Sequence, residues 1–61
     1  MLGVQVRDLR IYLELTEKEL AKIARVSTKA VYLFEHNQPM TLDDKRKILT
    51  VLYARKIGKY W

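Results

Sequence analysis

Basic side chains are crowded into the C-terminal part of this 61-residue chain, and positive charge is the clearest chemistry that the sequence offers. Residues 38–61 hold six Lys and Arg against two Asp and Glu, whereas residues 1–37 hold six against five. The net charge of +5 favours polyanions as partners, because cations that neutralise phosphates release condensed counterions. The alternative is a solvated helix surface. The basic residues in question are Lys45, Arg46, Lys47, Arg55, Lys56 and Lys59.

Other kinds of site chemistry are absent from the sequence. The chain has no cysteine, which excludes disulfides and thiolate metal sites, and a lone His36 gives no ligand cluster. We find no paired-carboxylate site, no nucleophile beside a base and no phosphate-binding loop. We therefore expect no cofactor, no metal and no enzymatic activity.

The hydropathy of the chain predicts a soluble protein. No apolar run approaches the roughly 18 residues of a membrane span. The N-terminus also lacks the charged start and apolar core of a signal peptide. We expect a cytoplasmic protein that does not contact a membrane.

Apolar residues recur with a helical period, which predicts a single all-α domain. A first helix is expected over residues 4–14 and a long last helix over residues 41–57, with Gly58 placed after its end. The residues expected to face the core are Val6, Leu9 and Leu13 in the first helix, and Leu42, Ile48, Leu49 and Leu52 in the last.

Two short helices joined by a tight corner are expected between these, at about residues 16–36. Thr16 and Glu19 have the spacing of a capping box, and Ser27 is a good N-cap for the following helix. The segment before Pro39 should end that helix. The expected inward positions are Leu20, Ile23 and Ala24 in the first short helix, and Val31 and Phe34 in the second.

This pair of helices meets the demands of a unit that lifts one helix into a DNA groove. Ala21 is small where the two backbones should approach, and Val26 offers an apolar side chain to pin the corner. Arg25 stands in the corner where glycine would be expected. A left-handed backbone at Arg25 would cost about 1–2 kcal/mol relative to glycine.

The stretch LTEKELAKIARVSTKAVYLFE, Leu15–Glu35, resembles the Cro/repressor (Xre-like) helix-turn-helix family. The resemblance extends from Leu9 to Leu52, about three quarters of the chain. It implies that residues 1–61 form one compact, all-α, four-helix domain of the lambda-repressor-like helix-turn-helix fold, although many relatives add a fifth helix. The usual corner glycine is replaced here by Arg25, and Lys45 stands where an apolar residue is usual. The matching positions are Glu19, Leu20, Ala21, Val26, Ser27, Val31 and Glu35.

The resemblance also implies a function: a sequence-specific transcriptional regulator of double-stranded DNA, of repressor type, with the second short helix in the major groove. Base contacts are expected from Thr28, Lys29, Tyr32 and Leu33. Lys29 has donors for guanine O6 and N7; Tyr32 suits a phosphate equally well, and Leu33 suits a partly buried flank. Phosphate contacts are expected from Thr16, Ser27, Asn37, Gln38, Thr41, Lys45 and Arg46.

Three charged residues have expected structural roles. The resemblance implies a partly buried ion pair between Arg10 and Glu35, which would hold the groove-reading helix against the first helix. The alternative is two surface charges that never meet. Glu17 stands where relatives often carry a phosphate-facing glutamine, so we expect its carboxylate to point aside.

The expected assembly is a homodimer, at least on DNA, because one small module rarely binds DNA tightly alone. An aromatic edge lies beyond the core stripe of the last helix, formed by Tyr53, Ile57 and Tyr60 at a helical spacing with Trp61 adjacent. It either covers the open end of the core or mediates self-association. No small-molecule effector is expected. The alternative function is a helical protein-binding module, such as an antitoxin that neutralises a toxin.

Overall fold

Four α-helices make up the part of the chain that the computed structural model describes, which is residues 2–59 for the backbone and 2–58 for the side chains. No strand occurs in this part, so the predicted all-α, four-helix domain is confirmed. None of its helices has both the length and the apolar character that crossing a bilayer requires. The helices are α1 (Gly3–Tyr12), α2 (Glu17–Ala24), α3 (Thr28–Glu35) and α4 (Leu42–Lys59).

The start of α2 is the capping box that the sequence predicts. Thr16 Oγ1 accepts from the Glu19 amide at 3.0 Å, and Glu19 Oε1 accepts from the Thr16 amide at 3.0 Å. The pKa of Glu19 is lowered from its ordinary value of 4.5, chiefly by the hydrogen bond from the Thr16 amide and further by the Thr16 side chain. The stabilisation from this box is therefore present above pH 4.5 and is lost as the pH falls through the lowered pKa.

The three corners between the helices share one backbone design. Each contains one residue with a left-handed backbone: Glu14 (φ 60°), Arg25 (φ 61°) and Asn37 (φ 56°). The amide after that residue donates to the carbonyl five positions back, as from Val26 to Ala21 at 3.0 Å, which is the bond of a Schellman motif. The corners are thus closed by main-chain hydrogen bonds, and no glycine occupies any of them.

The core lies where all four helices meet. Ala21 is buried as expected, and Val26 packs against the core from the second corner. The buried cluster consists of Val6, Leu20, Ala21, Ala24, Val31, Phe34, Ile48 and Leu52.

Two predicted core residues, Ile23 and Leu42, face solvent instead. Ile23 is rotated by about 100° from Ala24, so it lies beyond the buried face of α2. Leu42 is the first residue of α4, about 120° around the helix from Ile48, and is 63% exposed. Ile23 does lie three residues from Leu20, and Leu42 seven residues from Leu49, spacings that suit an inward face, but neither residue is covered by another helix.

The predicted helix ends were wrong at two places. The first helix begins at Gly3 and ends at Tyr12, because Glu14 takes the left-handed conformation that closes the corner. The last helix does not stop before Gly58 but continues to Lys59. A helical glycine costs only about 0.5–1 kcal/mol relative to alanine, and no residue packs against Gly58 to impose a turn.

Gly3 fixes how closely α1 approaches the end of α3. A Cβ atom at Gly3 would lie within 3.0 Å of the carbonyl oxygens of Phe34 and Glu35, which are backbone atoms. The Gly3 amide also donates to Asn37 Oδ1 at 2.9 Å, so Asn37 caps the first turn of α1. The sequence gives no sign of this contact, since it depends on which helix lies opposite Gly3.

The two glycines are a matched pair for testing this contact. Gly58→Ala should raise the free energy of unfolding by about 0.5–1 kcal/mol, because alanine favours a helix and a Cβ there meets nothing within 4 Å. Gly3→Ala should lower it by about 1–3 kcal/mol, because the added methyl forces the two backbones apart. Urea unfolding followed by circular dichroism measures both free energies. An equal increase for the two variants would show that the close approach of α1 to α3 does not require glycine at position 3.

The ion pair between Arg10 and Glu35 is present and joins α1 to α3. Arg10 Nε lies 2.6 Å from Glu35 Oε2, and Arg10 Nη2 lies 3.1 Å from Glu35 Oε1. Arg10 Nη1 also donates to the Leu15 carbonyl at 2.9 Å. The two side chains are only 12% and 2% exposed. The hydrogen bond that Arg10 donates to Glu35 is the main reason that the pKa of Arg10 is raised, and Glu17 adds to it through its charge.

Removing one partner of this pair should be far more damaging than removing both. Arg10→Met should lower the free energy of unfolding by about 3–5 kcal/mol, because Glu35 is left buried and unpaired. That is comparable to the whole stability expected of a domain this small. Replacing both residues, as Arg10→Met with Glu35→Leu, should recover most of the loss, since apolar residues can replace a buried pair.

Lys47→Met is the control, because Lys47 pairs with Asp43 at 3.2 Å on the exposed face of α4. Its loss should change the free energy of unfolding by less than about 0.5 kcal/mol. Thermal unfolding of the four proteins compares them directly. Equal shifts for Arg10→Met and Lys47→Met would reject the buried pair as a stabilising contact.

Candidate nucleic-acid interface

The face of α3 that points away from the core begins with exposed polar residues. Thr28, Lys29 and Tyr32 are all exposed, whereas Leu33 is half-buried. The opposite face holds the buried residues of this helix, which are Ala30, Val31, Phe34 and Glu35. The first two turns of α3 therefore present a hydroxyl, an ammonium and a phenol to solvent. Leu33 lies at the margin of this face, as a flank.

Tyr32 and His36 form one aromatic unit on this face. Their rings stack with centroids 3.9 Å apart and an angle of 24° between the planes. His36 Nδ1 also lies 2.8 Å from the Tyr32 carbonyl oxygen. Their spacing of four residues places them one above the other on a helix, which is the signal that sequence analysis missed. The stacked rings of Tyr32 and His36 therefore form one exposed aromatic surface at the end of α3.

Three of the expected phosphate ligands are the N-cap residues of α2, α3 and α4. Thr16 Oγ1 caps α2, Ser27 Oγ accepts from the Ala30 amide at 3.0 Å, and Thr41 Oγ1 accepts from the Asp44 amide at 3.3 Å. Each hydroxyl oxygen is used by its helix, while the hydroxyl hydrogen can still donate to a ligand. Helix N-termini attract anions, so these positions suit phosphate oxygens.

The first turns of α4 carry two cations, one of which contacts α3. Lys45 is half-buried, and its Nζ atom lies 5.9 Å from the centre of the Phe34 ring, within the range of a cation–π contact. Arg46 is exposed beside it. The charge of Lys47, by contrast, is offset by Asp43.

Asn37 and Gln38 have roles at the end of α3 that the sequence did not predict. Asn37 Oδ1 is used to cap α1 through the Gly3 amide, which leaves the amide nitrogen of its side chain as the donor for a phosphate. Gln38 is exposed, with Nε2 3.4 Å from the His36 carbonyl oxygen. The contact that the structure shows for Asn37 is therefore structural, the cap of α1.

Glu17 turns toward the buried ion pair. Its Oε2 atom is shielded from solvent and accepts no hydrogen bond within the described residues. Its negative charge also contributes to the raised pKa of Arg10. Both observations indicate that the carboxylate faces inward, so it points aside from the start of α2, as expected.

Arg25 adopts the left-handed backbone that glycine favours, with φ 61° and ψ 44°. Its side chain is exposed at the corner between α2 and α3. The residue therefore carries conformational strain of about 1–2 kcal/mol, and it places a cation two residues before the N-cap of α3.

Arg25→Gly and Arg25→Ala separate the strain from the charge. Arg25→Gly should raise the free energy of unfolding by about 0.5–1 kcal/mol, because relief of strain exceeds the extra freedom that glycine gives the unfolded chain. Arg25→Ala keeps the strained backbone and should leave stability nearly unchanged. Chemical unfolding measures both variants, and a glycine variant no more stable than the alanine variant would contradict the strain at this corner.

Within the described residues, no group of three His, Cys, Asp or Glu side chains could hold a metal ion. Comparison of the chain with models of protein families, with curated proteins and with solved structures finds no match. Its function is therefore inferred from the placement of its own residues.

Proposed function

We propose that this protein is a cytoplasmic, sequence-specific transcriptional regulator of the Cro/repressor (Xre-like) helix-turn-helix class, a small repressor that places α3 in the major groove of double-stranded DNA. The observation that carries the proposal is the difference between the two ends of α3. Its N-terminal turns are polar and exposed, while its C-terminal end is held by the buried pair of Arg10 and Glu35. A groove-reading helix needs both features, since its side chains must reach base edges from a fixed position.

Sequence reading is assigned to the start of α3. Lys29 supplies donors for guanine O6 and N7, and Thr28 supplies a hydroxyl for a base or a methyl for thymine. Tyr32, stacked on His36, follows one turn later. This small set of hydrogen-bonding groups limits base discrimination, so DNA shape contributes to site choice.

Phosphate binding is assigned to the N-terminal ends of α2, α3 and α4 and to the segment after α3. Thr16, Ser27 and Thr41 offer hydroxyl donors at helix N-termini, where the helix dipole adds attraction for anions. Lys45 and Arg46 add charge at the beginning of α4, and the side-chain amides of Asn37 and Gln38 add donors. These contacts set the register of the domain on DNA and carry no base information themselves.

A homodimer on DNA completes the proposal. One module of this kind covers only a short half-site, so two copies would read half-sites about 34 Å apart. Such sites have two-fold symmetry, because the symmetry of the operator mirrors that of the dimer.

Fluorescence anisotropy on labelled duplex DNA across a range of salt concentrations tests the proposal. The logarithm of the binding constant should fall linearly with the logarithm of salt concentration, with a slope that reports several phosphate contacts. Lys29→Ala should change the preference among duplex sequences, because it removes a base contact. Arg46→Ala should weaken binding to all duplexes alike and flatten the slope by about one unit.

Lys22→Ala is the control, since Lys22 is an exposed cation of α2 that is not assigned to DNA. It should leave both the sequence preference and the slope unchanged apart from a small general effect of charge. Absence of binding by the unaltered protein at low salt would reject the proposed function. An Arg46→Ala effect no larger than that of Lys22→Ala would reject the phosphate assignment alone.

A further inference from the structure

The C-terminal half of α4 carries an apolar strip that no other described residue covers. Tyr53, Ala54 and Ile57 are all exposed, and Ile57 is 59% exposed. Tyr53 and Ile57 lie four residues apart, so their side chains form a continuous ridge along the helix. Tyr60 and Trp61, which complete the expected aromatic edge, lie outside the described residues.

An open groove runs beside this strip. It has a volume of about 510 Å³ and is lined by Leu13 at the end of α1 and by Ala54, Arg55 and Gly58 of α4. Gly58 leaves it open, because a Cβ atom at that position would meet nothing within 4 Å. The volume is within the range of sites that accept several side chains or a small ligand.

The charged residues that α4 contributes around the strip are cationic. From Lys45 to the end of the chain there are six Lys and Arg and no Asp or Glu. Lys56 is exposed and lies about 60° around the helix from Tyr53, at one side of the strip. Arg55 is also exposed and lies beyond Ala54 on the other side, where it lines the groove. The surface is thus an apolar centre with basic edges, the pattern of a protein interface whose partner is acidic.

Charge argues against two other occupants. A second copy of this chain, paired symmetrically through the strip, would bring Arg55 and Lys56 of one protomer against the same cations of its partner. Nucleic acid would pair its phosphates with the cations, but its polar, charged backbone would not bury the apolar ridge of Tyr53 and Ile57. An acidic amphipathic helix satisfies both, with its apolar face on the ridge and its carboxylates at the edges.

The surface is also separate from the face assigned to DNA. Lys45, near the start of α4, is the residue that reaches Phe34 of α3. Ile57 lies twelve residues further along the same helix, or about 18 Å at the rise of an α-helix. A ligand on the strip therefore leaves the start of α3 uncovered.

We propose that the strip of Tyr53, Ala54 and Ile57, with the adjoining groove at Leu13 and its edges at Arg55 and Lys56, is a docking surface for an acidic amphipathic helix of a partner protein. The surface acts independently of DNA binding, so its test does not depend on the proposed function.

The probe is a fluorescein-labelled synthetic helix of about 18 residues, with leucine at a helical spacing on one face and glutamate elsewhere. The intact protein should bind it in an anisotropy titration. Ile57→Ser should weaken binding about fivefold or more, because it removes the apolar anchor, and Arg55→Glu with Lys56→Glu should weaken it at least as much by reversing both edges. Amide shifts in ¹⁵N NMR spectra should be confined to the C-terminal half of α4 and the end of α1.

Ile11→Ser is the matched control, because Ile11 is an isoleucine of α1 that is 56% exposed, close to the value for Ile57. It should leave binding unchanged. A scrambled peptide of the same composition should bind more weakly than the amphipathic one. Equal affinity for the two peptides would show that charge alone drives binding and would reject the proposal. Equal losses for Ile11→Ser and Ile57→Ser would reject it as well.

Two further outcomes would assign the surface to another occupant. Sedimentation equilibrium that shows self-association abolished by Ile57→Ser would identify a second copy of the chain and overturn the proposal. Displacement of the probe by duplex DNA, with the loss of salt dependence in Arg55→Glu, would identify nucleic acid and overturn it too. Neither result would follow from failure of α3 to bind DNA, so the two hypotheses are tested separately.

Discussion

The arrangement of this domain depends on one buried contact, the ion pair of Arg10 with Glu35. Two nearly buried charges are tolerable only because each is the other's partner and the guanidinium also donates to the Leu15 carbonyl. The pair ties the last turn of α1 to the last turn of α3 and to the segment that leads into α2. Glu17 extends the same electrostatic cluster, since its charge contributes to the raised pKa of Arg10.

The two ends of α3 are consequently held in place by different contacts. Its C-terminal end is fixed by the ion pair and by the close approach of Gly3, whose amide is capped by Asn37. Its N-terminal end is fixed by the cap at Ser27 and by the buried side chains of Ala30 and Val31, while its polar residues stay in solvent. The face of α3 that packs against the core is opposite its polar face, so a ligand on the polar face would not disturb the packing.

Two predictions that depend on neighbours in the chain are confirmed, the capping box at Thr16 and the cap at Ser27. Both consist of hydrogen bonds that span three residues, which the sequence specifies directly. The pairing of Arg10 with Glu35 spans 25 residues, and it was predicted only because the residues between them resemble a known family. The stacking of Tyr32 on His36 was visible in their spacing but was overlooked.

The sequence by itself determined the all-α class, the order of four helices and the polar start of α3, because helical period and caps are local properties. Only the tertiary structure decided which helix faces are covered, and this is why Ile23 and Leu42 are exposed although their spacing suits a core. The same reason explains the glycines: Gly3 matters because α3 lies against it, and Gly58 does not end a helix because nothing lies against it. Burial depends on the helix opposite, and no local pattern records which helix that is.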